Sequence, residues 1–123
     1  MTLKQCYELL EGDYEDVLGR MRKEALVEKF VLKFLNDSSF ETLRQGIATR
    51  DRETAFRAAH TIKGVAQNLG FTKLCEVSNL LTEELRQDWG ESVAVLVRQV
   101  EAVYERTTAA ILAYKEECAY EKS

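Results

Sequence analysis

The residues best suited to chemistry lie together in one short run. His60 is the only histidine among 123 residues, and Lys63 and Gly64 follow it by three and four positions. On a helix these three residues share one face. An imidazole nitrogen is a nucleophile, a neighbouring ammonium group neutralises anionic charge, and glycine leaves the surface open. The spacing therefore predicts a place where a charged group is handed over.

The periodicity of the segment predicts the direction in which His60 points. With about 100 degrees per residue, the apolar side chains fall opposite His60; they are Ala55, Ala58, Ala59, Ile62, Val65, Ala66 and Leu69. The residues within about 60 degrees of His60 are Glu53, Arg57, Lys63, Gly64 and Gln67. A lone histidine is more often a core residue, but this pattern predicts that His60 faces solvent or a partner.

A surface histidine without function is the simplest alternative. Gly64 argues against it, because glycine inside a helix costs about 1 kcal/mol relative to alanine and usually serves packing or access. Phe56 lies about 40 degrees from His60, on the outward face. We expect it to form a docking rim, with a core contact against the N-terminal helices as the alternative.

Composition limits the class of protein. The chain has no proline, six glycines, 31% charged residues and a net charge of −4. So few turn-forming residues favour an all-α fold. Acidic charge without a basic block disfavours nucleic-acid binding. The sequence shows no signal peptide and no apolar run long enough to span a membrane, so we expect a cytoplasmic protein without membrane contact.

Metal chemistry has little support in the sequence. Cys6, Cys75 and Cys118 are far apart and form no CxxC pair, so a zinc site with His60 lacks the usual spacing. We expect reduced thiols. A di-iron bundle enzyme needs several histidines and inward carboxylates, whereas this chain has one histidine that is predicted to face outward.

Helical periodicity and polar punctuation divide the chain into segments. The expected helices are Leu3 to Leu10, Tyr14 to Met21, Glu24 to Leu35, one after Ser38, one from Asp51 to Asn68, Phe71 to Gln87, and Ser92 to Ala119. Whether Arg22-Lys23 separates the second helix from the third is open. The four helices starting near residues 38, 51, 71 and 92 are expected to be the longest. Their short links predict an up-down-up-down antiparallel four-helix bundle with additional short N-terminal helices, in one domain of residues 1–123.

Three sites carry signals for helix ends. Ser38 followed by Glu41 predicts a capping box. Asp51 is the expected N-cap of the helix that contains His60. Gly70 is the expected left-handed residue at the end of that helix.

The segment from Ala59 to Gly70 closely resembles the signature of histidine-containing phosphotransfer (HPt) domains. In that signature a histidine is followed by lysine and glycine at the third and fourth places and by leucine and glycine at the ninth and tenth. The matching residues are His60, Lys63, Gly64, Leu69 and Gly70. Phe30 to Leu35 and Thr72 to Arg86 are similar to the flanking helices, so the resemblance covers about residues 24–90.

The resemblance implies a phosphoprotein of a two-component phosphorelay, phosphorylated on His60. The phosphoryl group would be exchanged with an aspartate of response-regulator receiver domains, and a sensor histidine kinase or hybrid kinase would lie upstream. Lys63 would neutralise phosphoryl charge, Gly64 would leave room for the partner, and Gln67 would hydrogen-bond the phosphoryl group or the partner. No cofactor is implied on this chain, because Mg²⁺ is expected on the receiver domain, and a monomer is expected.

One position departs from the family pattern. Members often carry glutamine or glutamate on the next helix, about 22 residues after the histidine, where it orients the imidazole. Thr82 occupies that position here. Threonine is too short to be assumed equivalent, so Glu83, an ordered water or another group is left to orient His60.

The residues also argue against an autonomous kinase. Phosphoryl transfer from ATP needs a metal and phosphate-binding groups, but the sequence has no carboxylate cluster near His60 and no glycine-rich phosphate loop. We therefore expect a phosphoryl carrier. The alternative is a helical adaptor that binds a receiver or kinase domain without being phosphorylated. An initial methionine and the lack of a linker-like tail favour a free-standing protein over one excised from a multidomain kinase.

Overall fold

A computed structural model describes the backbone of residues 1–122 and the side chains of residues 1–119. This part of the chain is all-α, as predicted, and contains no strand. The helices are α1 (Leu3–Leu9), α2 (Tyr14–Met21), α3 (Glu24–Phe34), α4 (Ser39–Ala48), α5 (Arg52–Asn68), α6 (Thr72–Leu85) and α7 (Val93–Lys122). Among them, none combines the length and the apolar character that a transmembrane segment requires.

Helices α4 to α7 pack around a common core. Helix α5 packs between α4 and α6, and α6 packs on α7. Phe40 of α4 stacks on Tyr104 of α7 with ring centroids 4.1 Å apart, and Arg44 pairs with Glu101 at 3.5 Å. These contacts run in opposite order along the two helices, as expected for antiparallel neighbours. The full up-down-up-down order stays a prediction.

The N-terminal helices form a second layer on the long helix α7. Helices α1 and α3 both pack on α7, and α2 packs on α3. The hydroxyl of Tyr114 in α7 donates to Glu28 of α3 at 2.9 Å. The helix after Ser38, α4, was expected to be one of the four longest. This was wrong, since α4 has 10 residues and α3 has 11.

Two local details settle or correct the sequence analysis. Arg22 has a φ of 71°, in the left-handed region, so α2 and α3 are separate helices. The predicted capping box at Ser38 is wrong. Ser38 has a ψ of 1° instead of the extended conformation of a typical N-cap, and its hydroxyl caps nothing. The carboxylate of Asp37 instead accepts a hydrogen bond from the Ser39 amide at 2.8 Å.

The N-terminal layer holds the C-terminal end of α5. The hydroxyl of Tyr7 donates to the carbonyl of Leu69 at 2.6 Å, and the Arg20 guanidinium donates to the carbonyls of Gln67 and Asn68 at 3.3 and 3.0 Å. Carbonyls in the last turn of a helix lack the usual amide partner four residues on, so these side-chain donors add to the hydrogen bond that the Gly70 amide makes to the Gln67 carbonyl at 3.2 Å. Gly70 has a φ of 71°, which confirms its predicted left-handed conformation. The helix that carries His60 therefore has a fixed end.

Small residues let α4 and α5 approach closely. A Cβ atom on Gly46 would lie only 2.8 Å from the backbone nitrogen of Ala55. On the same side of α5, Ala55, Ala58 and Ala59 are buried. Close backbone approach leaves little freedom for α5 to rotate, because interiors are packed to crystal-like density.

The buried hydroxyl of Ser78 yields a stability prediction. Ser78 is fully buried in α6, and its Oγ has no hydrogen-bond partner in the part of the chain that the structure describes. A buried polar atom without a partner is destabilising, and alanine also favours helix. We expect Ser78→Ala to raise the free energy of unfolding by about 1 kcal/mol, as measured by urea denaturation. A loss of stability in this variant would contradict the analysis.

Candidate functional site

His60 is exposed on α5, which confirms the outward direction predicted from the helical pattern. Its neighbours Ala59 and Ile62 are buried, with 0% and 2% of their surface exposed. The imidazole therefore lies opposite the core face of its own helix. A partner can reach it without any opening of the bundle.

Phe56 lies beside the imidazole, one turn earlier on α5. The two rings are nearly parallel, with centroids 6.2 Å apart and an interplanar angle of 14°. The guanidinium carbon of Arg86, from α6, lies 5.4 Å from the centroid of the Phe56 ring. In residues 1–119 the imidazole has no hydrogen-bond partner, and Phe56 is its aromatic neighbour. Phe56 is half-buried because it packs against the core.

A carboxylate and two cations surround this ring pair. Glu83 of α6 accepts two hydrogen bonds from Arg86, at 3.0 and 2.8 Å. These bonds are the main reason why the pKa of Glu83 is lowered, and the charges of Arg86, Lys63 and His60 lower it further. Lys63 is half-buried on α5, and Glu83 and Arg86 are about half exposed. The site is therefore charged and open to solvent.

Arg86 was not predicted as a site residue from the sequence, and Glu83 was only one candidate for orienting the imidazole. Their spacing of three residues places them on one face of α6, which was readable from the sequence. That this face lies against Phe56 of α5 depends on how the two helices pack. Arg52 helps to set that packing, since it donates from the first turn of α5 to the carbonyls of Leu85 and Arg86 at 2.7 and 3.0 Å.

Thr82 lies away from the exposed surface around His60. It is fully buried, and its hydroxyl donates to the carbonyl of Ser78 in its own helix at 2.7 Å. A side chain with no exposed surface does not contact a docking partner. The position where family members often carry glutamine or glutamate is therefore turned inward on α6, and Thr82 presents no surface to a partner.

Gly64 and Gln67 continue the exposed face of α5 beyond His60. A Cβ atom on Gly64 would meet nothing within 4 Å, so no contact within the described chain requires glycine there. Gln67 is exposed, and both residues border a cleft of about 970 Å³. The cleft lies between α2, α3 and α5, and its lining includes Asp16, Arg20, Phe30, Lys33, Val65 and Asn68.

The surrounding residues offer one nucleophile. Burial raises the pKa of the Cys75 thiol, which disfavours its thiolate form. In the described part of the chain, no group of three or more His, Cys, Asp or Glu side chains is placed to hold a metal ion. An exposed imidazole flanked by Lys63 and Arg86 can accept an anionic group and neutralise part of its charge.

Comparison with known families supports the resemblance read from the sequence. The model of the family described as Hpt domain matches residues 7–109. This match extends well beyond the 24–90 segment recognised from the motif, and it includes the end of α1, all of α2 to α6 and the first part of α7. Comparisons with curated proteins and with solved structures return no significant match.

The N-cap of α5 predicts a pH dependence of stability. The carboxylate of Asp51 accepts hydrogen bonds from the Thr54 hydroxyl and amide at 2.8 and 3.2 Å, and these bonds lower its pKa below the usual 3.8. A lowered pKa contributes stability that is present above the usual value and is lost as the pH falls through the lowered one. We expect Asp51→Asn, which keeps a capping side chain, to lose less stability than the wild type between about pH 5 and pH 2. Equal losses of unfolding free energy in the two proteins, measured by urea denaturation, would contradict this.

Proposed function

Because the chain belongs to the Hpt domain family, whose members act in histidine phosphotransfer of two-component signalling, we propose that His60 is the phosphorylated residue. It accepts a phosphoryl group from an aspartyl phosphate of a response-regulator receiver domain and returns it to such an aspartate. The observation that carries this proposal is the exposed His60 with Lys63 and Gly64 on one face of α5.

The transfer needs no general base on this chain. A ring nitrogen of neutral imidazole attacks phosphorus with its lone pair, so that a nitrogen–phosphorus bond forms while the bond from phosphorus to the aspartate oxygen breaks. The aspartate leaves as a carboxylate, and the other ring nitrogen keeps its proton. The reverse step follows the same path. Charge on the transferred group must be neutralised and the reacting atoms aligned.

Lys63 and Gln67 suit the binding of the transferred group. Lys63 brings an ammonium group one turn from His60, and Gln67 brings amide donors one turn further on the same exposed face. Gly64, between them, is the point of closest approach for the partner. We propose that Lys63 neutralises phosphoryl charge and that Gln67 donates a hydrogen bond to the phosphoryl group or the partner.

The partner supplies the rest of the reaction centre. We propose that Mg²⁺ and its carboxylate ligands belong to the receiver domain, and that a sensor histidine kinase or hybrid kinase lies upstream. The chain itself is a carrier and no ATP-dependent kinase. A cytoplasmic location, a single domain and a monomeric state are part of the same proposal.

Labelling from a phosphorylated receiver domain tests the central claim. We expect the wild type to gain one acid-labile phosphoryl group and His60→Gln to gain none, because His60 is the only histidine in the chain. Circular dichroism of the variant checks that it keeps its helices. Full labelling of His60→Gln would contradict the proposal, and tight receiver binding without labelling of the wild type would favour the adaptor alternative.

Gly64 is tested by enlarging its side chain. We expect Gly64→Ala to raise stability by about 1 kcal/mol, because alanine favours helix and its Cβ meets nothing within 4 Å. We expect Gly64→Gln to slow phosphotransfer at least about tenfold, since displacing the partner by even 1 Å is costly. Stopped-flow or quench measurements of transfer report the rate.

Gly19 provides a matched control within the same chain. It is exposed in α2, and a Cβ atom there also meets nothing within 4 Å. Gly19→Ala and Gly19→Gln should change stability in the same direction as the Gly64 variants and leave transfer unchanged. Equal transfer rates for Gly64→Gln and Gly19→Gln would contradict the proposal that Gly64 leaves room for the partner.

A further inference from the structure

We propose that Glu83 is the resident anion of the site and that a phosphoryl group on His60 competes with it for Arg86. Glu83 thereby limits how strongly His60 retains the phosphoryl group. This inference rests on the proposed function and concerns its equilibrium. It assigns a role to a residue outside the histidine motif, on a different helix.

Before phosphorylation, Arg86 already has a carboxylate partner. Its guanidinium lies over the Phe56 ring, and the His60 ring is the other neighbour of Phe56. The phosphoryl group would be carried on His60. Two hydrogen bonds, at 3.0 and 2.8 Å, bind it to Glu83 in a bidentate arrangement. A bidentate pair is the strongest form of such contact. Arg86 is therefore close to the site but occupied.

Lys63 differs from Arg86 in this respect. In residues 1–119 no carboxylate lies within ion-pair distance of its ammonium group, although it is close enough to Glu83 to lower the pKa of that carboxyl. Lys63 can therefore meet a phosphoryl group without first leaving a partner. Of the two cations, Lys63 is available to a phosphoryl group, whereas Arg86 is already paired with Glu83.

A phosphoryl group changes the balance of charge around Glu83. It carries a charge of about −1.5 to −2 near neutral pH, and like charges repel. Retaining it next to Glu83 means either tolerating that repulsion or separating Arg86 from its carboxylate. Both effects weaken the phosphorylated state of His60 and favour return of the group to the receiver.

The size of the effect follows from the exposure of the pair. Arg86 and Glu83 are 49% and 53% exposed, so water and salt screen their interactions. In such surroundings, the unit charge of Glu83 near a doubly charged phosphoryl group shifts the phosphotransfer equilibrium about threefold to tenfold. A change of this size is measurable in phosphoryl exchange.

The experiment measures the equilibrium ratio of phosphohistidine to phosphoaspartate when the receiver domain and this protein exchange the group. We expect Glu83→Gln to raise that ratio about threefold to tenfold, and Glu83→Asp, which keeps the charge, to stay near the wild type. An unchanged or lowered ratio for Glu83→Gln overturns the inference. An equilibrium ratio is insensitive to general loss of rate, so a merely structural role would not move it.

Glu101→Gln is the matched control. Glu101 is 43% exposed, pairs with Arg44 at 3.5 Å, and lies on the contact between α4 and α7. Its substitution removes the same charge and breaks an exposed Arg–Glu ion pair away from His60. We expect it to leave the ratio unchanged, and an equal rise in both variants would show an effect of net charge alone and overturn the inference.

The outcome for the wild type separates the two proposals. If the wild type takes no label on His60, the proposed function fails. If the wild type is labelled and the ratio for Glu83→Gln equals that of the wild type, the proposed function stands and the role of Glu83 fails.

Discussion

Close packing of α5 between α4 and α6 is the constraint on which the exposed site depends. Ala55, Ala58 and Ala59 form a small-residue face, and Gly46 lets the backbone of α4 come near it. Because this face is buried, the opposite face must be exposed, and His60 lies on it. A rotation of α5 by one residue, about 100 degrees, would bury the imidazole or expose the alanines.

The two ends of α5 are held by different parts of the chain. At its start, Arg52 donates to the last carbonyls of α6, which aligns the two helices. At its end, Tyr7 and Arg20 of the N-terminal layer donate hydrogen bonds to the last carbonyls of α5 and its C-cap. The family match from residue 7 to residue 109 begins at Tyr7 and includes all of α2. The N-terminal layer therefore helps to position α5, the helix that carries His60.

The charged groups of the site act near the surface, where interactions are weak. Glu83 and Arg86 are about half exposed, and water screens both. Weak and reversible interactions suit a carrier, because a group that is bound too tightly is not passed on. The Phe56 ring adds an apolar surface on which the imidazole and the guanidinium both rest.

Helical periodicity alone determined the all-α class and the outward direction of His60, because a 3.6-residue repeat separates the core face from the exposed face of one helix. The spacing of Lys63 and Gly64 likewise follows from local geometry. Only the tertiary structure decided how α6 is turned relative to α5. It directs Thr82 into the core and Arg86, which Glu83 pairs with, toward Phe56. The repeat within a helix carries no information about the contact between two helices, which depends on how side chains far apart in the sequence fit together.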